Sequence, residues 1–196
     1  LIDAAEGAVK GGRAHGIIEM TVERPDFTRR MRMESWWKGN EKALIVIKEP
    51  RKDAGNKTLK IGNEMWNYLS NTETTIKVPP SMMLQSWNGS DFTNDDLVRE
   101  SDYAEDYRAT IEGTETVEGD SCWSLRLEPR EDAPVVWGRL EYRISVKDTL
   151  PVRIDYYDEQ GELKRHLVFS DVDTVGSRTI PTTWTMYDDT GEGRRT

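Results

Sequence analysis

The feature that most limits the fold of this chain is an alternation of polar and apolar residues with a period of two. The longest stretch is residues 139–147, and residues 150–156 continue the pattern after a short turn. Successive side chains of a β-strand point to opposite sides, so this period predicts strands with one buried face. The sequence therefore predicts a mainly β protein.

Shorter alternating segments fill most of the remaining sequence. Residues 18–22 and 30–34 alternate on either side of a turn at Pro25 and Asp26, which predicts a long hairpin. Further strands, bounded by Gly, Asn or Pro, are predicted at residues 43–48, 58–61, 65–69, 74–78, 163–172, 177–180 and 182–187. Pro181 fits an edge strand or a bulge. About ten or more antiparallel strands form either a sandwich or a sheet curled on itself.

Helical signals are few and short. Residues 2–10 precede two glycines, residues 81–87 follow two prolines, and residues 93–100 begin with a Thr that has a carboxylate three residues later. These are patterns of a helix end, a first helical turn and a capping box. Two strand-rich halves therefore flank a short helical insert, residues 79–97. The length of 196 residues suits one domain, which we expect to span residues 1–196.

Charge and composition exclude several classes of function. A net charge of −9 leaves no basic stripe to bind phosphates, so we expect no nucleic-acid partner. The mean hydropathy is −0.74, and the longest uncharged apolar run, residues 43–47, is far shorter than a membrane-spanning helix needs. Cys122 is the only cysteine, which excludes an intrachain disulfide and disfavours cysteine-based metal sites.

No sequence motif indicates catalysis. The only histidines, His15 and His166, have no carboxylate partner at zinc-ligand spacing. The chain contains no nucleophile elbow, phosphate loop or dinucleotide fingerprint. With 36 acidic residues, pairs of neighbouring carboxylates arise by chance and carry no information. We therefore expect no catalytic residues, no metal and no cofactor.

The apolar residues are unusual in kind, since the chain has seven Met and seven Trp but only three Phe. Methionine is flexible and fills irregular space, so a Met-rich face suits apolar guests of variable shape. The alternative is an ordinary Met-rich core. Composition leaves both interpretations open.

Residues 88–97, NGSDFTNDDL, resemble the Gly-Ser-Asp-Phe-x-x-x-Asp-Leu signature of the bacterial outer membrane lipoprotein-sorting protein family, in the LolA-like superfamily. Other pieces occur in that family's order. They are the hairpin at residues 18–34, the Lys-Glu-Pro-Arg-Lys step at 48–52, the Trp-Asn-Tyr strand at 66–68, and the Leu-Pro and Tyr-Asp-x-x-Gly hairpin at 150–161. The resemblance covers roughly residues 14–196.

The resemblance implies an α+β fold that is mainly β: an open, unclosed antiparallel β-barrel, or LolA/LolB-like half barrel, whose concave face is covered by short helices. It implies export to the periplasm with the signal sequence removed, and both ends of the domain are expected to be truncated. The implied role is a carrier of lipid or lipoprotein acyl chains, for outer-membrane lipoprotein sorting or lipid export. The implied partner is an inner-membrane permease of the RND/MMPL or lipoprotein-release type.

A hydrophobic groove would bind these chains, and the insert would cover it as a movable lid or fill it as a fixed plug. Asp91 is expected to accept backbone N–H bonds in a turn or to cap the following helix, and Phe92 to anchor the insert. The expected groove residues are Ile18, Met20, Val22, Met31, Met33, Ile45, Trp66, Tyr68, Met82, Met83, Trp87, Phe92, Leu97, Tyr142, Ile144 and Trp184.

Two other functions fit the sequence. One is an accessory subunit that docks on a membrane permease and carries nothing. The other is a carbohydrate-binding or hydrolytic β domain, in which exposed Trp rings would stack on sugars. Trp66 and Trp184 share the parity of apolar neighbours and are expected to point inward, which disfavours sugar binding.

Overall fold

The computed structural model describes residues 1–39, 41–98, 103–133, 135–191 and 193–196. The chain forms two compact units. The first-sheet unit comprises Lys10–Glu100 and Arg194–Thr196, and the second-sheet unit comprises Leu1–Val9 and Ser101–Gly193. The single domain expected over residues 1–196 stays a prediction.

The first-sheet unit contains six strands in chain order, followed by the insert. The strands are β1 (Arg13–Glu23), β2 (Thr28–Lys38), β3 (Lys42–Glu49), β4 (Lys57–Ile61), β5 (Glu64–Leu69) and β6 (Thr74–Lys77). They pair antiparallel in the order β1-β2-β3-β4-β5-β6, so each strand lies beside its neighbour in the sequence. The predicted hairpin of β1 and β2 and the meander after it are confirmed.

The strand register divides the first sheet into two faces, because directly paired residues point to the same side. One face carries Met20 opposite Met31, Met33 opposite Ile47, and Ile45 opposite Thr58. We call this the Met face. The opposite face carries Leu44 opposite Leu59, Leu59 opposite Trp66, and Trp66 opposite Lys77. We call this the Trp face.

The second-sheet unit begins with α1 (Ile2–Lys10), which the sequence predicts with the same bounds. It continues with α3 (Tyr103–Asp106), which follows α2 (Asn94–Val98) of the insert in the chain, and with six strands. The strands are β7 (Tyr107–Val117), β8 (Asp120–Pro129), β9 (Arg139–Ser145), β10 (Pro151–Tyr157), β11 (Leu163–Val175) and β12 (Arg178–Asp188). Their order is β12-β11-β10-β9-β8-β7, again antiparallel between chain neighbours. Pro181 lies in β12, at an edge of this sheet, as predicted.

The second sheet has one apolar and one charged face. Ile154 pairs with Tyr142 on one side and Leu167 on the other, and all three are buried. On the opposite face, Arg143 contacts Glu115 at 3.0 Å and Glu141 at 2.8 Å. The alternation in the sequence thus separates a packed face from a face of ion pairs.

The predicted fold class is confirmed. The protein is mainly β, its two antiparallel sheets are not closed into a barrel, and its helices are few and short. Two strands, β7 and β8, and the short helix α3 have no counterpart among the sequence predictions. In the described residues no helix is long and apolar enough to cross a membrane.

Candidate functional site

The Met face carries a compact apolar cluster beneath the insert. Met33, Ile45, Ile47 and Trp87 are buried and pack together. Met20, Trp37 and Leu97 are half-buried and pack against them. Trp87 and Leu97 belong to the insert, so the insert covers this part of the sheet.

A polar strip lies beside the apolar cluster on the same face. The indole Nε1 of Trp87 donates to Thr58 Oγ1 at 3.1 Å, and that hydroxyl donates to Asn67 Oδ1 at 2.9 Å. Lys60, two residues after Thr58, is also buried, with 3% of its surface exposed. The Met face is therefore mainly apolar over β1–β3 and carries the polar Thr58, Lys60 and Asn67 over β4 and β5, beside the buried Met65. Trp87 contacts both parts.

The insert is built from short pieces rather than from one helix. Two 3-10 helices, Pro80–Met82 and Trp87–Gly89, precede α2 (Asn94–Val98). Thr93 Oγ1 accepts a hydrogen bond from Asp96 N, and Asp96 Oδ2 accepts one from Thr93 N. This reciprocal pair is the predicted capping box, and it marks where α2 begins.

The Gly-Ser-Asp-Phe motif forms a tight turn under Trp87. Gly89 has a φ of +70°, a conformation that favours glycine. The buried Ser90 hydroxyl donates to Trp87 O at 2.7 Å and accepts from Phe92 N at 3.2 Å. Phe92 O accepts the amide of Trp87 at 2.8 Å. The motif therefore fixes the backbone on both sides of Trp87, from which the ring projects onto the Met face.

The described contacts of Asp91 differ from the backbone N–H bonds expected in the turn or at the start of the following helix, because they reach distant parts of the chain. Its Oδ2 accepts from Arg24 Nη1 at 2.9 Å and from Thr196 Oγ1 at 2.7 Å. Arg24 also donates to Gly89 O at 3.0 Å, and Arg29 donates to Asn88 O. The side chains of Arg24 and Asp91 are only 12% and 8% exposed. We call these contacts the polar clamp; it attaches the insert to the β1–β2 hairpin and to the segment at residues 194–196.

The rest of the insert leaves much of its apolar surface unburied. Within residues 79–97, Trp87 is the only buried apolar side chain. Met82 and Leu84 are 41% and 55% exposed, and Met83 and Phe92 are half-buried. An insert that served only to complete a core would have little reason to keep Met82 and Leu84 in water.

The structure brings together half of the predicted groove residues. Those on the Met face, or packed over it from the insert, are Ile18, Met20, Val22, Met31, Met33, Ile45, Trp87 and Leu97. The other insert residues, Met82, Met83 and Phe92, are exposed or half-buried. Their role in binding stays a prediction.

Trp66 and Tyr68 do not join this group. The register of β4 and β5 puts both side chains on the Trp face, whereas Met33 and Ile45 lie on the Met face. The parity argument for Trp66 is wrong because β4 exposes its apolar residues, Leu59 and Ile61, and buries Thr58 and Lys60. The apolar residues on the same face as Trp66 are therefore themselves exposed.

Tyr142, Ile144 and Trp184 lie in the second-sheet unit, within its own packed face. The buried Tyr142 ring meets the Tyr103 ring edge-on at 5.8 Å between centroids, and burial raises the pKa of Tyr142 well above its usual value. Trp184 packs edge-on against Phe169 at 5.3 Å and donates from Nε1 to Pro181 O at 3.2 Å. These three residues are part of the packing of their own unit.

In the described part of the chain each histidine lies beside a carboxylate that its sequence spacing does not indicate. His15 Nε2 lies 3.0 Å from Glu34 Oε1, and His166 Nδ1 lies 2.6 Å from Asp189 Oδ2. One imidazole and one carboxylate fall short of the three protein ligands of a catalytic zinc site. Among the residues that the structure describes, no group of three or more His, Cys, Asp or Glu could hold a metal ion.

The fold is similar to that of several solved structures. A DUF1329 family protein from Desulfovibrio piger matches with a TM-score of 0.87 and 22% identity, over 97% of this chain and 84% of that one. A putative outer membrane lipoprotein-sorting protein domain from Vibrio parahaemolyticus matches with 0.85 and 18%, over 99% and 86%. A LolA superfamily protein from Nitrosomonas europaea matches with 0.80 and 18%, over 98% and 86%.

These likenesses confirm the predicted LolA-like fold. A protein-family model described as "-like: Uncharacterized protein" matches residues 39–196. No curated protein sequence matches this chain.

Proposed function

The chain belongs to the family described as "-like: Uncharacterized protein" and has the fold of LolA superfamily proteins, and from these premises we propose that it is a periplasmic carrier of acyl chains. The cargo is a lipid or the lipid-modified end of a lipoprotein. The carrier binds it against the Met face and has no catalytic residue. A membrane permease exchanges the cargo with it. The outer membrane lipoprotein-sorting description of the similar Vibrio domain supports this choice of cargo.

The observation that carries the proposal is the incomplete burial of the insert. Trp87 is buried at 3% exposure, whereas Met82 and Leu84, in the same segment, keep 41% and 55% of their surface in water. A segment that moved aside with an acyl chain beneath it would gain apolar contacts for these two side chains. This favours a movable lid over a fixed plug.

The energies are compatible with such an exchange. Removing Trp87 from the Met face costs about 3 to 5 kcal/mol, judged from large-to-small substitutions in cores. Each buried CH₂ group of an acyl chain contributes about 0.8 kcal/mol. About four to six buried CH₂ groups therefore offset the loss of Trp87, and a longer chain gives net binding.

The polar clamp would keep the insert attached while Trp87 moves. Its contacts join Arg24, Arg29 and Thr196 to residues 88, 89 and 91, close after Trp87 in the chain. Hydrogen bonds to charged groups contribute roughly 1.5 to 3 kcal/mol each. Because several such bonds act at one end, we infer that the lid opens by moving residues 79–86 and rotating the Trp87 side chain, while the clamp and the turn at residues 88–92 hold.

The test uses two adjacent residues of β1 with opposite orientations. Ile18 is 36% exposed on the Met face, and Ile17 is 50% exposed on the opposite face. Ile18→Glu would place a charge where the acyl chain lies, whereas Ile17→Glu makes the same change away from it. Both positions are exposed, so both variants are expected to fold.

Binding is measured by titrating cis-parinaric acid, a fluorescent fatty acid, into the purified protein. We expect wild type and Ile17→Glu to bind equally and Ile18→Glu to bind at least about tenfold more weakly, because burying an unpaired carboxylate costs more than about 1.4 kcal/mol. Native mass spectrometry of gently purified protein should show a bound lipid. Equal binding by the two variants, or a wild type that neither binds the probe nor retains lipid, would refute the proposal.

A further inference from the structure

The Trp face of the first sheet carries an open apolar groove that the proposed carrier function does not use. Its volume is about 350 Å³. Leu59 and Ile61 are 36% and 43% exposed, although both are strand residues in the middle of the sheet. The residues that line the groove are Leu44, Lys57, Leu59, Ile61, Trp66, Tyr68 and Thr75.

The groove lies beside a sheet edge with unpaired backbone groups. All four residues of β6 are exposed, and within the described residues no strand pairs with the side of β6 away from β5. Val78 N donates to Met65 O at 2.8 Å, so Met65 and Val78 form a hydrogen-bonded pair. Pairs alternate along an antiparallel ladder. The N–H and C=O groups of Thr75 and Lys77 therefore point outward, away from β5.

The charge around the groove is opposite to the charge of the whole chain. Four lysines lie on the Trp face of β3–β6, at positions 42, 48, 57 and 77, against two carboxylates, Glu49 and Glu64. Lys77 pairs with Glu64, and Lys48 pairs with Glu34 of β2. Lys57 Nζ lies 5.1 Å from the Tyr68 ring centre and Lys77 Nζ 5.5 Å from the Trp66 ring centre. A positive apolar surface on a protein of net charge −9 favours an acidic apolar occupant.

We propose that β6 and the Trp-face groove bind an extended acidic segment of a partner protein. The segment adds as a further strand beside β6 and satisfies the outward amide and carbonyl groups of Thr75 and Lys77. Its alternate side chains then project over the Trp face. Thr75 is small and lies opposite Tyr68, so an apolar side chain reaches across Thr75 to the Tyr68 ring, while acidic groups lie near Lys57 and Lys77.

The backbone edge is what selects a peptide rather than a lipid. An acyl chain has no groups to pair with an exposed row of amides and carbonyls, whereas an extended peptide pairs with all of them. Large exposed apolar patches on soluble proteins commonly mark interaction sites. The proposal does not depend on the acyl-chain carrier function, since the two sites are on opposite faces of the first sheet.

The first experiment measures peptide binding by fluorescence anisotropy. The probes are two labelled eight-residue peptides in which every second residue is Thr. The remaining positions alternate Glu with Val in one peptide and Lys with Val in the other, so that charged and apolar side chains lie on the same face of the added strand. The acidic peptide is expected to bind at least about tenfold more tightly. Lys57→Glu should remove this preference, whereas Lys147→Glu, the same charge change at an exposed turn in the other unit, should leave it unchanged.

The second experiment tests the backbone contribution. Thr75→Pro removes an outward N–H and leaves the ladder to β5 intact, so it should abolish binding of the acidic peptide. Thr75→Ala keeps that N–H and should bind within about threefold of wild type. Circular dichroism checks that each variant is folded, and if Thr75→Pro is not, the Lys57 and Lys147 variants decide the question.

Three results would overturn the proposal. The first is that the two peptides bind equally well. The second is that a folded Thr75→Pro variant binds the acidic peptide like Thr75→Ala. The third is that neither peptide binds while phosphatidylglycerol vesicles bind in a Lys57-dependent way, which would make the groove a lipid-surface contact. Titration of cis-parinaric acid in the same variants keeps this test separate from the carrier proposal, since the Trp-face variants should bind that probe like wild type.

Discussion

Replacing Trp87 separates a movable cover from a permanent part of the core. The indole is buried at 3% exposure in the cluster with Met33 and Ile45 and donates one hydrogen bond, to Thr58. Trp87→Ala should lower the free energy of unfolding by about 3 to 5 kcal/mol. Trp87→Phe keeps most of the ring and loses the hydrogen bond, so it should lower that free energy by about 1 kcal/mol. The Thr58 hydroxyl keeps Asn67 as a partner in both variants.

The same substitutions should change cargo binding in the opposite direction. If Trp87 competes with the acyl chain for the Met face, a substitution that weakens the contact of residue 87 with that face raises the apparent affinity for the acyl chain. The gain in binding free energy equals the free energy that the contact of residue 87 has lost. A loss of 3 kcal/mol corresponds to about a hundredfold tighter binding, and a loss of 1 kcal/mol to about fivefold. The predicted order of affinity is therefore Trp87→Ala, then Trp87→Phe, then wild type.

Stability is measured by urea denaturation followed by circular dichroism, and affinity by titration with cis-parinaric acid. Stability and affinity must move in opposite directions across the three proteins. If Trp87→Ala loses stability while its affinity stays the same or falls, Trp87 is a core residue or a part of the site, and the lid interpretation is refuted. Trp87→Phe keeps the test valid if Trp87→Ala does not fold.

Three further predictions concern groups whose contacts are known. Asp91→Asn should lower the unfolding free energy by about 1 to 3 kcal/mol and speed hydrogen exchange at the Ser90 amide. Asp26→Asn, at the exposed β1–β2 turn, should change neither quantity. Unchanged exchange in Asp91→Asn would contradict the role of the polar clamp. The hydrogen bond from Arg143 lowers the pKa of Glu115, so this carboxylate stabilises the fold above its unfolded pKa and loses that effect as the pH falls through its folded pKa. Glu115→Gln should therefore show a smaller fall in urea midpoint between pH 7 and pH 3 than wild type, and an equal fall would refute the role of this pair. Burial raises the pKa of the Cys122 thiol, so iodoacetamide should modify it in urea and not in the native protein at pH 8; rapid native modification would show that it is accessible.

The sequence patterns predict the first sheet up to β3 and fail in part at β4. In β1–β3 the alternating set of side chains that is apolar in the sequence is also the set that is buried, so Met33 and Ile45 are correctly assigned to one face. In β4 the same rule would make the apolar residues Leu59 and Ile61 the buried ones, yet Thr58 and Lys60 are buried. Parity shows that two sets of side chains alternate; it does not show which set meets the insert, because that depends on a segment about thirty residues later in the chain.

The second sheet shows a different limit. β7 is missed because it lies at a sheet edge and nearly all of its residues are exposed, so no apolar alternation marks it. The capping box at Thr93 is found because it is local, with donor and acceptor three residues apart. The partner of Asp91 is not found, because Arg24 and Thr196 lie 67 and 105 residues away in the chain. Local hydrogen bonds can be predicted from spacing, whereas contacts between distant residues require the fold.

The distant contact of Thr196 also sets an order of events during synthesis. The strand pairs of the first sheet join chain neighbours, so they can form as soon as each hairpin leaves the ribosome. Thr196 follows Asp91 by 105 residues, which corresponds to about 5 to 20 s of translation at 5 to 20 residues per second. During that interval the first sheet exists without the hydrogen bonds between Thr196 and Asp91, while Arg24, Arg29, Trp87 and Leu97 already hold the insert. The Met face is thus completed before its cover is fully secured.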